Sequence, residues 1–195
     1  MDNYEIKNIL SQELIKCLIE NKKFDLDLIS NNLKLDIVVV KSLFPSSPDI
    51  NTLELLKIFN SKIDDEILII INKEIKDEDA SYFEKILESL FIKFENLSKY
   101  KKAFVKLSSS FNNRFINFVY LNQQNHQFMI KLMICCGDEE NFFKLNVKAC
   151  ILNAIYLKNL KVFLSEDNIN LETVMRRLDN DLKKSFELKF LFKNF

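Results

Sequence analysis

Few side chains in this sequence carry reactive chemistry. His126 is the single histidine, and Cys17, Cys135, Cys136 and Cys150 are the thiols. No Cys-x-x-Cys spacing occurs, and one histidine among scattered cysteines does not make a zinc ligand set, so no metal site is expected. General-base work by His126 would need an oriented partner and a pocket. Standing among Gln123, Gln124, Asn125 and Gln127, it reads as a surface or helix-end histidine. Glu139 and Glu140 do not read as an acid pair, because adjacent helix residues point about 100° apart. They read instead as acids favouring a helix start. A di-iron centre would need Glu-x-x-His pairs, which are absent. Gly137 is the only glycine, which excludes phosphate-cradling loops. No catalytic residue and no cofactor are expected. The thiols read as free and buried, as in a reducing cytoplasm.

Binding chemistry is better represented. Phe104, Phe111, Phe115, Phe118, Phe128, Met129, Leu132 and Met133 recur at helical spacing. They could line an apolar slot between helices or simply fill a core. Further on, Phe186, Phe190 and Phe192 alternate with Lys183, Lys184 and Lys189. A helix there has a wide apolar face with a basic margin, a pattern suited to a bilayer interface or to packing on the body or a dimer mate.

The elements that position these residues are helices. One glycine and two prolines in 195 residues leave little material for hairpin turns. The spacing of Ile6, Ile9, Leu10, Leu14, Cys17 and Leu18 predicts a first amphipathic helix ending near Asn21. Short helices are expected from near Asp25 and after Asp36, the latter with Asp36 as N-cap. A fourth is expected from Pro48, with Ser47 as its cap. Beyond Asn60, breaks at polar clusters divide the chain into helices near 62–76, 79–97, 100–110, 112–122, 124–136, 138–164 and 171–193, with Gly137 as a C-terminal cap and Asp138 capping the next helix. Basic and acidic residues number 28 each, so no global charge draws the chain to a polyanion. The acidic start Met1-Asp2-Asn3-Tyr4-Glu5 lacks the positive charge of a targeting segment, and no run approaches the roughly 18 apolar residues of a membrane span.

Ile29, Leu35-Asp36 and Phe44-Pro45-Ser46 follow the spacing of a helix-turn-helix with its Phe-Pro exit, and residues 29–50 resemble the TetR regulators. The resemblance implies an all-α, TetR-like architecture. Lys34 stands at the turn glycine, Ile37, Val38 and Val39 occupy the reading positions, and Lys41 replaces the phosphate-contacting tyrosine. Base edges are read by polar side chains, and acids outnumber lysines over residues 1–60. Nucleic acid is therefore not expected as a partner.

Gly137-Asp138 leads a stretch carrying Lys148, Leu152 and Ile155-Tyr156, followed by an acidic loop at Asp167 and by Val174-Met175-Arg176-Arg177-Leu178. With Leu43-Phe44-Pro45 upstream, this order resembles the ubiquinone-biosynthesis accessory family Coq-nine, over roughly residues 10–185. The resemblance implies about ten helices in three parts: a degenerate helix-turn-helix domain over 1–60, a lipid-binding and dimerisation body over 61–181, and an amphipathic segment over 182–195. It implies a non-enzymatic protein that takes an isoprenoid quinone intermediate or phospholipid and presents it to a demethoxyubiquinone hydroxylase. The protein would act as a homodimer on the cytoplasmic face of the inner membrane. The partner-docking Trp-Tyr pair of that family is replaced by Leu145-Asn146. The alternative is a ligand-responsive DNA-binding regulator.

Overall fold

The computed structural model describes residues 2–45, 48–74, 80–110, 114–165 and 170–187, without the side chains of 48–50, 74, 108–110 and 114–121. The described residues are all-helical. The elements are α1 (Asn3–Ile19), α2 (Leu26–Asn32), α3 (Ile37–Leu43), α4 (Pro48–Glu74), α5 (Tyr82–Ser98), α6 (Lys101–Ser110), α7 (Arg114–Cys135), α8 (Phe142–Ser165) and α9 (Leu171–Phe186).

The helix starts follow capping chemistry. Asp2 and Ser81 each form a capping box, with Glu5 and Glu84 respectively. Asp25 accepts from the backbone N–H groups of Asp27 and Leu28, and Asp36 from that of Val38. Three helix ends close in the same way. Asn21 (φ 58°), Lys34 (φ 55°) and Gly137 (φ 93°) are left-handed, and the N–H one residue further on reaches back to Cys17, Ser30 and Met133 carbonyls respectively. Lys34 thus keeps the turn between α2 and α3 in a conformation that glycine adopts more cheaply. The Lys34→Gly variant is expected to raise stability by about 0.5–1 kcal/mol, read as a higher denaturation midpoint for the first unit.

Two expected breaks are absent. α4 runs unbroken through Asn60-Ser61, and α7 through Asn122 to Asn125. Asn and Ser are weak helix formers but not breakers, so packing on either side carries the helix through. A third correction concerns α8, which starts at Phe142 rather than 138. Asn141, not Asp138, caps it, accepting from the Lys144 N–H at 3.0 Å. The capping site expected at Ser47 lies outside the described residues.

The chain divides into two compact units, Met1–Ile63 with Tyr100–Asn117, and Asp64–Lys99 with Phe118–Phe195. In the first, α1 packs on α3 and α6, and α2 on α3. Its core includes Leu10, Leu14, Val40, Leu55, Phe59 and Ala103. The Phe59 ring meets Tyr100 edge-on at 5.0 Å. In the second, α9 lies on α5 and α8, burying Val174, Leu178 and Leu182. Phe94 of α5 is centred there between Tyr156 (5.3 Å) and Phe163 (5.6 Å) of α8. Asp181 of α9 accepts from Lys158 and Asn159 of α8. Burial opposes its charge, but these bonds hold the carboxyl below the usual range. No helix among the described residues is long and apolar enough to cross a membrane.

Candidate functional site

The second unit holds titratable side chains where periodicity alone would place only apolar ones. Asp138 follows Gly137 and turns inward. Its Oδ2 accepts from Lys148 Nζ at 2.8 Å and from the Tyr82 hydroxyl at 2.9 Å, and its Oδ1 accepts from the Glu140 N–H. The Lys148 and Asp138 side chains are both fully buried. The loop between α7 and α8 is thereby fixed to α5 and α8. Burial, together with the Asp138 charge, raises the Tyr82 hydroxyl far above its ordinary pKa.

A second pair joins Asp64 of α4 to Lys93 of α5. The Lys93 ammonium lies 3.6 Å from the centre of the Phe128 ring and 5.2 Å from that of Tyr156. Burial pushes the Asp64 carboxyl up and the Lys93 amine down, each towards its neutral form. Burial likewise raises the Tyr156 hydroxyl.

Among the residues expected to bind an apolar ligand, the structure brings four together. Phe128, Met129, Leu132 and Met133 lie on α7 in the packed core of the second unit, at 0–3% exposure. Phe104 is half-buried on α6 in the first unit. Phe111 lies outside the described residues, as do the side chains of Phe115 and Phe118. The Lys93 amine over Phe128 makes one end of the α7 stripe polar rather than purely apolar.

The expected membrane residues also divide. Phe186 packs against α5, 5.2 Å from the Phe83 ring and 6.0 Å from the Tyr82 ring. Lys183 and Lys184 are exposed, with Lys183 bonded to Asp179 at 2.7 Å. Lys189, Phe190 and Phe192 lie outside the described residues.

Leu145 and Asn146, expected as the partner-docking positions, are half-buried on α8. Asn146 is engaged within the unit. Its Nδ2 donates to the Phe142 carbonyl at 2.7 Å, and its Oδ1 lies 3.0 Å from His126 Nε2. His126 is therefore neither at a helix end nor without a partner, but half-buried in the middle of α7. Cys150 is exposed, contrary to the expectation of buried thiols, and its Sγ lies 3.8 Å from His126 Nδ1. One turn further along the seam, Asn153 donates to Asn122, while its own Oδ1 is buried without a hydrogen-bond partner. No group of His, Cys, Asp and Glu among the described residues could hold a metal ion.

Sequence reasoning missed the most exposed aromatic pair among the described residues. Phe142 and Phe143, in the first turn of α8, are 80% and 76% exposed, and Ile134 in the last turn of α7 is 54% exposed. A signal for them existed. Adjacent Phe residues at a helix start point about 100° apart, and both rings face one core only with difficulty.

On the first unit, Ile29, Val40 and Phe44 are buried while Val38 is 73% exposed, and Lys41 is paired with Asp27 at 3.1 Å. Val38, in the first turn of α3, thus presents an aliphatic side chain without hydrogen-bonding capacity for base edges. No family model and no curated protein matches the chain.

Proposed function

We propose that the protein is a non-enzymatic lipid-binding accessory factor of TetR-like architecture that works at a membrane surface. It takes an isoprenoid quinone intermediate or a phospholipid and passes it to a membrane-associated hydroxylase as a homodimer. The observation that carries the membrane part of this reading is the exposed pair Phe142 and Phe143. Aromatic side chains left in water at the end of a helical body gain free energy by entering the bilayer interface. The cargo follows from the same physics: each CH₂ of an isoprenoid tail costs about 0.8 kcal/mol to bring into water, so transfer needs an apolar carrier. Met129, Leu132 and Met133 on α7 are fully buried, so a cargo tail would reach them only by displacing core packing. The TetR-like part is supported by the α2–α3 turn, which keeps its left-handed residue although lysine fills it, and by the buried Ile29, Val40 and Phe44.

Native mass spectrometry of the purified chain, followed by organic extraction and flotation with liposomes, tests the reading. The expected result is a co-purifying isoprenoid or phospholipid and a protein that floats with vesicles. An empty mass together with no flotation overturns it. The preserved α2–α3 turn favours one second reading, a DNA-binding regulator. That reading requires a salt-dependent shift of the chain's own upstream DNA.

A further inference from the structure

We propose that Cys150, His126 and Asn146 form a nucleophilic thiol site that exchanges with small disulfides. The three side chains meet where α7 and α8 pack, and the hydrogen bonds order them in one direction. Asn146 Nδ2 is occupied by the Phe142 carbonyl, so Oδ1 is the atom presented to His126 Nε2. An amide oxygen only accepts, so Nε2 carries the ring proton and Nδ1 keeps its lone pair. That lone pair faces the Cys150 sulfur at 3.8 Å. A base oriented by a third group beside a thiol is the arrangement that activates a cysteine.

The surroundings select the chemistry. Cys150 lies in the interior of α8, where backbone N–H groups are committed to helix bonds, so none is free to stabilise an acyl-transfer oxyanion. Disulfide exchange needs no such donor. His126 Nδ1 takes the Cys150 proton, and the thiolate attacks one sulfur of R–S–S–R. The Cys150–S–S–R bond forms as the old S–S bond breaks, and the leaving R–S⁻ takes the proton from Nδ1. The products are a mixed disulfide on Cys150 and one free thiol, RSH, so the small disulfide is the oxidant. Two of the other described thiols are less suited. Cys17 and Cys136 are buried, and burial pushes the Cys136 thiol up to about 11.

The test follows bis(2-hydroxyethyl) disulfide adding to the full chain, read by intact mass and peptide mapping across roughly pH 5 to 9. Cys150 is expected to be the first site modified. His126→Gln is expected to slow Cys150 about tenfold near neutral pH. Asn146→Leu keeps the base but frees its tautomer, and is expected to slow the reaction by a smaller factor. Circular dichroism of both variants separates lost chemistry from lost fold. A Cys150 rate unchanged by His126→Gln in a folded variant, or no faster than that of Cys135, overturns the proposal.

Discussion

Replacing Asp138 by alanine is expected to destabilise the second unit by about 4 kcal/mol, on the order of a thousandfold in its folding equilibrium. The carboxylate holds Lys148 and Tyr82 at once, and both ionic side chains are wholly removed from water. Alanine would leave the Lys148 ammonium buried without its counter-charge and take an acceptor from the Tyr82 hydroxyl. The cost is therefore mainly that of a buried lysine stripped of its carboxylate rather than the worth of one hydrogen bond. Lys148→Met alone should cost a similar amount by stranding the carboxylate. The double variant Asp138→Ala/Lys148→Met should recover a large part of the loss, because no buried charge is then left alone. Chemical denaturation of the four proteins, followed by circular dichroism, gives the coupling directly. If the single variants lose under about 1 kcal/mol, water or another group reaches this site and the closed network is wrong.

The second large effect concerns membranes. Changing Phe142 and Phe143 together to serine is expected to lower partition onto neutral liposomes on the order of 100-fold, since withdrawing each ring forfeits about 1.5 kcal/mol of apolar burial. Both rings are mostly in solvent, so the fold should tolerate the change, and an unaltered thermal transition would show that it does. The neighbouring charges do not create a basic patch, because Lys144 is bonded to Glu140 at 3.0 Å. Binding through this loop should therefore depend little on salt or on anionic lipid. Binding led by Lys183 and Lys184 should instead weaken as salt screens the headgroups. Undiminished flotation of the double serine variant would remove this loop from the membrane reading.

How much of this was legible depends on whether a signal is local. The caps at Asp25 and Asp36 and the left-handed Gly137 could be read from a few adjacent residues, because capping is a contact between neighbours in sequence. The breaks expected near Asn60 and Asn122 failed for the opposite reason: packing outside the window carries the helix through weak formers. Asp138 shows both sides. Next to Gly137 it reads as a helix cap, and in the fold it turns away from that role to meet Lys148 and Tyr82. The candidate site behaves similarly. The α7 stripe was visible as periodicity, but Asn146 was read only as a place where an aromatic is missing. His126 was read as a histidine without a partner, although Asn146 and Cys150 lie beside it.

By itself the sequence determined the helical class, the starts of α2, α3 and α9 and the face of α7 that turns inward, because repeat spacing and capping act over one or two turns of chain. Only the tertiary structure decided which lysines and aspartates leave water and which thiol stays in it. It also decided which residue stands beside the histidine. These outcomes depend on helices far apart in sequence meeting side by side, and burial of a charge is settled by the partner found there. A lysine such as Lys93 looks in sequence like any solvated lysine, and becomes a core residue only where Asp64, Phe128 and Tyr156 converge on it.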